Sequence, residues 1–357
     1  MHTSAVALST TRVNYHEDLG DINSGGTRSR ILLVSTYLLS LGCLVWTLRD
    51  AKLGELKDDL ASMNWWWLGV AVIADIAVYC VQAVRWSQIL RPVEPVTFRQ
   101  GVSAIYVGLF ANEVLPFRAG EILRCYLLSR WTKIPFSVVI SSALIERIFD
   151  GIWLCMCLIL TLRMVGVHHH TRWLRDGGYV LGFVVLGGAA LLALAVFLRQ
   201  KTRALLSGDG WQRHFRILID DLNLIGHSHY LYLAFFLSLA YLLLQVLPIY
   251  AALEAYGFDL SLGVAFALMV ILRMGAVVPQ APGNLGLFQF LTREALVHLF
   301  NVVPAEAARF SLVLWGTVTI PLVVAGFIAL MATGSKLFEL RKAAEDHAGE
   351  MAINRPQ

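Results

Sequence analysis

The sequence predicts an all-α polytopic membrane protein, with about six full transmembrane helices and two shorter, discontinuous ones in an inverted-repeat arrangement. Three observations carry this. Hydrophobic residues make up 57% of the 357 positions and charged residues only 15%, a balance foreign to soluble globular chains. The apolar residues are grouped into runs near the roughly 20 residues that a bilayer core requires. Two further runs are shorter and stop at the same kind of place. Ala104–Leu115 ends in Leu115-Pro116-Phe117-Arg118-Ala119-Gly120-Glu121, and Val264–Val278 ends in Val278-Pro279-Gln280-Ala281-Pro282-Gly283-Asn284. Each has a proline and, four residues on, a glycine, then a helix-forming stretch. Paired breaks in two halves point to a repeat with a binding site at its interface.

The elements follow in order. Met1–Arg30 is polar, rich in Ser, Thr and Gly, and reads as a disordered cytoplasmic tail rather than a cleaved signal. Ile31–Leu48, Trp65–Leu90, Phe136–Leu162, Gly178–Leu198, Tyr230–Leu253 and Ser311–Ala332 are the full-length spans. They define a single membrane domain over 31–332, with halves 31–163 and 178–332, breaks at 112–121 and 279–289, and a second cytoplasmic tail over 333–357. Leu53, Leu56, Leu60 and Met63 form an amphipathic stripe ahead of Trp65-Trp66-Trp67, which suits the headgroup boundary. Trp211, Phe215, Leu218, Leu222 and Ile225 form a second such stripe.

Orientation comes from Lys and Arg. Clusters at Arg28 and Arg30, at Arg85, Arg91 and Arg99, at Arg118, Arg124, Arg130 and Lys133, at Arg199–Arg216 and at Lys336–Lys342 share one side only if the first broken run enters from the cytoplasm and returns to it. The second then enters from the opposite face, and both termini are cytoplasmic. Arg163, Arg172 and Arg175 dissent. The expected location is the cell (inner) membrane.

An ionisable residue within a span costs about 3 kcal/mol on insertion scales, so each one needs a reason. Around the first break stand Asn112, Glu113, Arg118, Glu121 and Arg124, with Gly120 permitting the turn. Two guanidiniums beside a helix start suit an anionic group such as a lipid phosphate; the alternative is that Glu121 only neutralises its neighbours. Glu146 and Asp150, four apart, share one face of a span, and Arg147 reaches Asp150 at i+3; the three read equally as an ion-pair clasp or as a protonation relay. Arg273 precedes the second break, and Asn284, Gln289, Arg293 and Glu294 follow it. Asp75, alone in its span, reads as shallow and solvated.

Five cysteines lie in or beside apolar runs without ligand spacing, and His168-His169-His170 reads as an exposed loop. No metal site and no cofactor are expected, and no nucleic-acid partner.

Three segments, taken in order, resemble a known family. Asn112–Leu127 (NEVLPFRAGEILRCYL), Glu146-Arg147-Ile148-Phe149-Asp150 and Pro282-Gly283-Asn284-Leu285-Gly286 are similar to the transmembrane region of lysylphosphatidylglycerol synthases, also called flippase-like. Arg85-Trp86 fits the same pattern. The resemblance spans roughly Ile31 to Ala332. It implies a lipid-handling membrane protein whose partner is a phospholipid, a polyprenyl-linked lipid or a hopanoid. The matched positions include Asn112, Pro116, Arg118, Gly120, Glu121, Arg124, Glu146, Arg147, Asp150, Pro282, Gly283 and Gly286. Two positions depart: Asn284 stands for a second glycine, and Gln289 for the family's glutamate.

The leading function on these grounds is a flippase or lipid transporter moving an anionic or lipid-linked headgroup between leaflets. A second reading is an accessory subunit of a cell-envelope glycosyltransferase or lipid-modifying system. A lipid aminoacyl or glycosyl transferase ranks below both, because Gln200–His229, the longest internal polar stretch, is too short for a catalytic domain.

Overall fold

The computed structural model describes residues 34–115, 119–165, 229–278 and 281–334, together with Lys342. The N-terminal tail, most of the C-terminal tail, Pro116–Arg118, Pro279 and Gln280, the histidine triplet, the Gly178–Leu198 run and the Trp211–Ile225 stripe lie outside the described residues.

Every described element is helical: α1 (Val34–Leu48), α2 (Leu56–Ser62), α3 (Trp65–Leu90), α4 (Phe98–Val114), α5 (Gly120–Trp131), α6 (Phe136–Val165), α7 (His229–Leu244), α8 (Val246–Tyr256), α9 (Leu262–Gly275), α10 (Leu287–Phe300) and α11 (Pro304–Ala332). Trp65–Leu90, His229–Tyr256 and Pro304–Ala332 are long and apolar enough to cross a membrane. The second of these is interrupted at Gln245, a single turn residue between α7 and α8, where one continuous helix is expected from the apolar run. Helix α6 has 30 residues but carries Glu146, Arg147 and Asp150 at its middle.

Local chemistry sets the boundaries. The Asn64 side chain accepts from the Trp66 N–H at 3.1 Å and starts α3. Thr97 and Gln100 cap α4 reciprocally. Gly257, at φ 87°, stops α8 in the left-handed conformation. Pro304 opens α11 at its first turn.

The two broken runs form helix hairpins. Helix α4 has 17 residues and α5 has 12, so at 1.5 Å per residue they reach ~25 Å and ~18 Å, short of a ~30 Å hydrocarbon core. They pack closely because Gly108 faces Gly120: a Cβ on Gly120 would lie 1.8 Å from the Gly108 carbonyl oxygen. Helices α9 and α10, 14 residues each, form the second hairpin, with Gly275 against Leu291.

The hairpins enter from opposite ends of the bundle. The Lys133 N–H, just past α5, donates to Glu94, just past α3 (3.2 Å), and Gln100 reaches the Trp131 carbonyl. At the other end the Asn64 N–H donates to the Ala255 carbonyl (2.9 Å), and Arg309, near the start of α11, grips Glu55 at 2.8 Å and Asp59. Helix α3 therefore runs from the base of the second hairpin to the base of the first.

Apolar packing joins α6, α7, α8, α9, α10 and α11 in one cluster and α3, α4, α5 and α6 in another. The outer faces of the long helices leave large apolar side chains exposed, among them Ile73, Phe236, Ile320 and Ile328. Trp65 and Trp66 are exposed at the start of α3, as a headgroup belt requires.

Candidate functional site

Two polar systems lie between the helices. The first is a closed ring of three arginines and three acids. Arg85 of α3 is wholly buried. Its Nη2 donates to Glu146 Oε1 at 2.9 Å, its Nη1 meets Asp150, and the same nitrogen reaches Ser238 Oγ at 3.1 Å. Arg124 of α5 donates to the other oxygen of Glu146 (2.9 Å) and to Glu121 (3.0 Å). Arg147 binds Glu121 at 2.9 Å and Asp150 at 3.9 Å, which closes the circuit. Aromatic faces line it: Arg124 sits over Trp86 at 4.7 Å and Arg85 over Tyr241 at 4.6 Å.

This ring corrects one expectation. Arg124 is paired with Glu121 and Glu146 through Nε and Nη2, and its Nη1 is buried without a hydrogen-bond partner among the described residues, so it is not a free cation. Arg118, its expected companion, lies outside the described residues. Glu146, Arg147 and Asp150 take part in ion pairs that tie α3, α5 and α6.

The second system is a cavity of about 230 Å³ between the two breaks. Asn112 and Glu113 from the first hairpin line it, as do Arg273, Ala281 and Asn284 from the second. Asn284 Nδ2 donates to Glu113 Oε1 at 2.8 Å, so the two tips touch. Glu121 and Arg147 also face the cavity and connect it to the ring.

Each tip is held by its own contacts. Asn112 Oδ1 accepts from the Gly120 N–H at 2.9 Å, which caps the start of α5. In the second break Pro282, Gly283 and Asn284 make one tight turn, with Gly283, Asn284 and Gly286 all at positive φ. The Ala281 N–H donates to Ser40 Oγ (3.0 Å), and Trp315 Nε1 donates to the Gly283 carbonyl (2.7 Å). Gln289 Oε1 accepts from the Gly286 N–H at 2.7 Å, capping α10. The amide Nε2 of the same side chain is buried and has no hydrogen-bond partner among the described residues.

Arg273 points into the cavity from α9. It donates to Tyr241 Oη at 2.9 Å and to Gln245 Oε1, and among the described residues no carboxylate forms an ion pair with it. Arg293, by contrast, pairs with Asp50 at 3.0 Å and with Glu294, away from the cavity.

Asp75 is the second correction. It is not shallow: it is 6% exposed and lines the cavity. With Val78, Tyr79 and Gln82 it makes one face of α3, at the i, i+3, i+4, i+7 spacing of a helical stripe. Read alone, Asp75 looks isolated; read with Tyr79 and Gln82 it is one end of a polar row within a span. Tyr241 and Gln245 were missed for the same reason.

Helices able to span a membrane, two broken hairpins meeting tip to tip and a polar cavity between them define an integral membrane protein. The family model for the lysylphosphatidylglycerol synthase TM region matches residues 32–326, and the chain belongs to that family. It is similar to a UPF0104 membrane protein of Methanothermobacter thermautotrophicus, 25% identical over 71% of this chain and 78% of the relative. It is also similar to UPF0104 membrane protein MJ1595 of Methanocaldococcus jannaschii, 27% identical over 39% of this chain and 40% of that one. A third relative is named Glycosyltransferase AglD, of Haloferax volcanii, 23% identical over 78% of this chain and 50% of the relative.

Proposed function

We propose that this chain is a lipid flippase-like transporter that moves an anionic or lipid-linked headgroup between leaflets. Its tails would stay in the bilayer while the headgroup occupies the space between the two broken hairpins. The supporting observation is the polar cavity that both tips line, with Arg273 in it lacking an ion-pair partner among the described residues. Broken backbone at membrane depth is tolerated only where protein or a polar cavity receives it. A desolvated guanidinium held by a phenol and an amide is suited to a phosphate. The topology proposed with it is six full spans and two re-entrant hairpins in one domain over 31–332, both termini cytoplasmic, in the cell (inner) membrane.

Purified protein in liposomes carrying a fluorescent anionic phospholipid tests the reading. Leaflet exchange above that of protein-free liposomes is expected, with a fall of at least about tenfold in Arg273→Gln, the equivalent of about 1.4 kcal/mol. Exchange no faster than in empty liposomes, or an unchanged rate in Arg273→Gln, overturns it. The relative named as a glycosyltransferase aligns over half its own length, which favours a second reading: a membrane module serving a cell-envelope glycosyltransferase. Product formation dependent on a co-expressed enzyme, without leaflet exchange, would support that instead.

A further inference from the structure

The members of the ring are not equally enclosed. The side chains of Arg85, Glu146 and Arg124 are at most 3% exposed. Arg147 is 47% and Glu121 37% exposed, and both line the cavity. Arg147 lies ~16 Å along α6 from Phe136, and Glu121 ~15 Å along α5 from Trp131. Two helices thus place the pair near the middle of a ~30 Å hydrocarbon core. An accessible guanidinium at that depth is kept only against water or a polar occupant. Arg147 is also the most loosely held of the three arginines. Among the described residues it makes one hydrogen bond, from Nη2 to Glu121 Oε1 at 2.9 Å, and Asp150 stands off at 3.9 Å.

We propose that Arg147 is a second headgroup-binding residue, which exchanges Glu121 for a phosphate oxygen of the lipid when the headgroup enters. This rests on the cavity being the headgroup site and adds a partner to Arg273. The exchange strands no charge. Glu121 holds Arg147 through Oε1 and Arg124 through Oε2, so it keeps Arg124 when Arg147 leaves. Arg124 keeps Glu146, and Asp150 keeps Arg85. Arg147 in turn exchanges one carboxylate oxygen for a phosphodiester, to which a guanidinium fork can donate twice. Its depth suits it to act with Arg273, which lies ~16 Å along α9 from Leu262. Helices α6 and α9 start at opposite ends of the bundle, so the two guanidiniums reach a similar depth in one cavity. One has no ion pair among the described residues and the other is released by exchange. Together they serve the phosphate where the bilayer opposes its charge most.

The probe is fluorescent phosphatidylmethanol, a lipid phosphodiester capped by one methyl group, titrated against the full-length protein in phosphatidylcholine nanodiscs. Arg147→Gln is expected to weaken binding about tenfold, the scale of a lost charge-assisted contact. Glu121→Gln should tighten it several-fold, because Arg147 then has no carboxylate to leave, and misfolding does not produce a gain of affinity. In the Arg147→Gln background, Glu121→Gln should change affinity by less than about twofold. That coupling separates exchange from a general field, which acts from Glu121 whether or not Arg147 is present. If the glutamine variant does not fold, Arg147→Lys keeps the charge of the ring and should still weaken binding several-fold, an ammonium being a point and not a fork. Millimolar inorganic phosphate should not displace the probe. Additive effects of the two substitutions, or wild-type affinity in both single variants, overturn the exchange and leave the transport reading intact where Arg273→Gln still loses binding. Displacement by inorganic phosphate overturns the lipid assignment in favour of a free anion. If wild type does not bind the probe, or Arg273→Gln binds it unchanged, the headgroup reading itself fails.

Discussion

Replacing Arg85 by methionine removes the one side chain, among the described residues, that touches both Glu146 and Asp150 through short contacts. The ring then holds two cations, Arg124 and Arg147, against three acids, one of which, Glu146, is wholly buried. Glu146 keeps Arg124 at 2.9 Å, whereas Asp150 keeps only Arg147 at 3.9 Å. Breaking a buried pair costs about 3–5 kcal/mol because it strands a charge, and the surviving Arg124 contact puts Arg85→Met at about 3 kcal/mol. Adding Asp150→Asn restores a balanced set of two cations and two acids, so about 1–2 kcal/mol should return, a coupling of the size seen for residues in one network. Unfolding of the detergent-solubilised protein by a titrated denaturing surfactant, followed by circular dichroism, measures both. If Arg85→Met lies within about 0.5 kcal/mol of wild type, or if the second substitution destabilises further, the six groups do not act as one ring.

Gly120→Ala should open the first hairpin, because the added Cβ meets the Gly108 carbonyl oxygen at 1.8 Å and Asn112 Oδ1 at 2.7 Å; a loss of about 1–3 kcal/mol is expected. Gly69→Ala, with no atom within 4 Å of the new carbon, should be neutral or stabilising in the same unfolding measurement. On the orientation proposed, single cysteines at Lys133 and Asp259, both at exposed positions, should label from the cytoplasmic and outer faces respectively on a background without the native cysteines. Labelling of both from one face is incompatible with hairpins that enter from opposite sides.

The breaks were legible because their signal is local: a proline, a glycine four residues on, and a run too short to span. The long helices were legible from the same kind of count. The pairing of the charges was not. Arg85 lies 61 and 65 positions from its two acids, and no spacing rule reaches that far, so only Glu121–Arg124 and Arg147–Asp150, three residues apart, were visible. That is why Arg124 read as a free cation. Asp75 was misjudged because one carboxylate in an apolar helix was weighed singly; the row Asp75, Tyr79, Gln82 is a periodic feature, and its partners across the cavity come from α7 and α9. The contact of Gln289 with the Gly286 N–H was not legible either, because it depends on the positive φ of Gly286.

The two hairpins are built alike but secured differently, and this decides which one is free to move. The first is bound by charge: Arg124 and Glu121, on α5, belong to the ring that also engages α3 and α6. Withdrawing α5 separates buried ion pairs, at about 3–5 kcal/mol for the first. Among the described residues, the tip of the second is held by hydrogen bonds to Ser40, Trp315 and Glu113, each worth about 1 kcal/mol net and replaceable by water or a headgroup. Its ion pair, Arg293 with Asp50, sits along α10, beyond the tip. Asn284, at φ 51°, is the one non-glycine residue of this turn at positive φ; Gly283 and Gly286 adopt positive φ without strain. A transport cycle built on this scaffold would therefore displace the second tip against a fixed first hairpin. Amide hydrogen exchange reads the difference directly: exchange over 281–287 should be faster than over 119–124 in the resting protein and should slow when a bound headgroup fills the cavity. Equal protection of the two tips would mean that neither is the moving part.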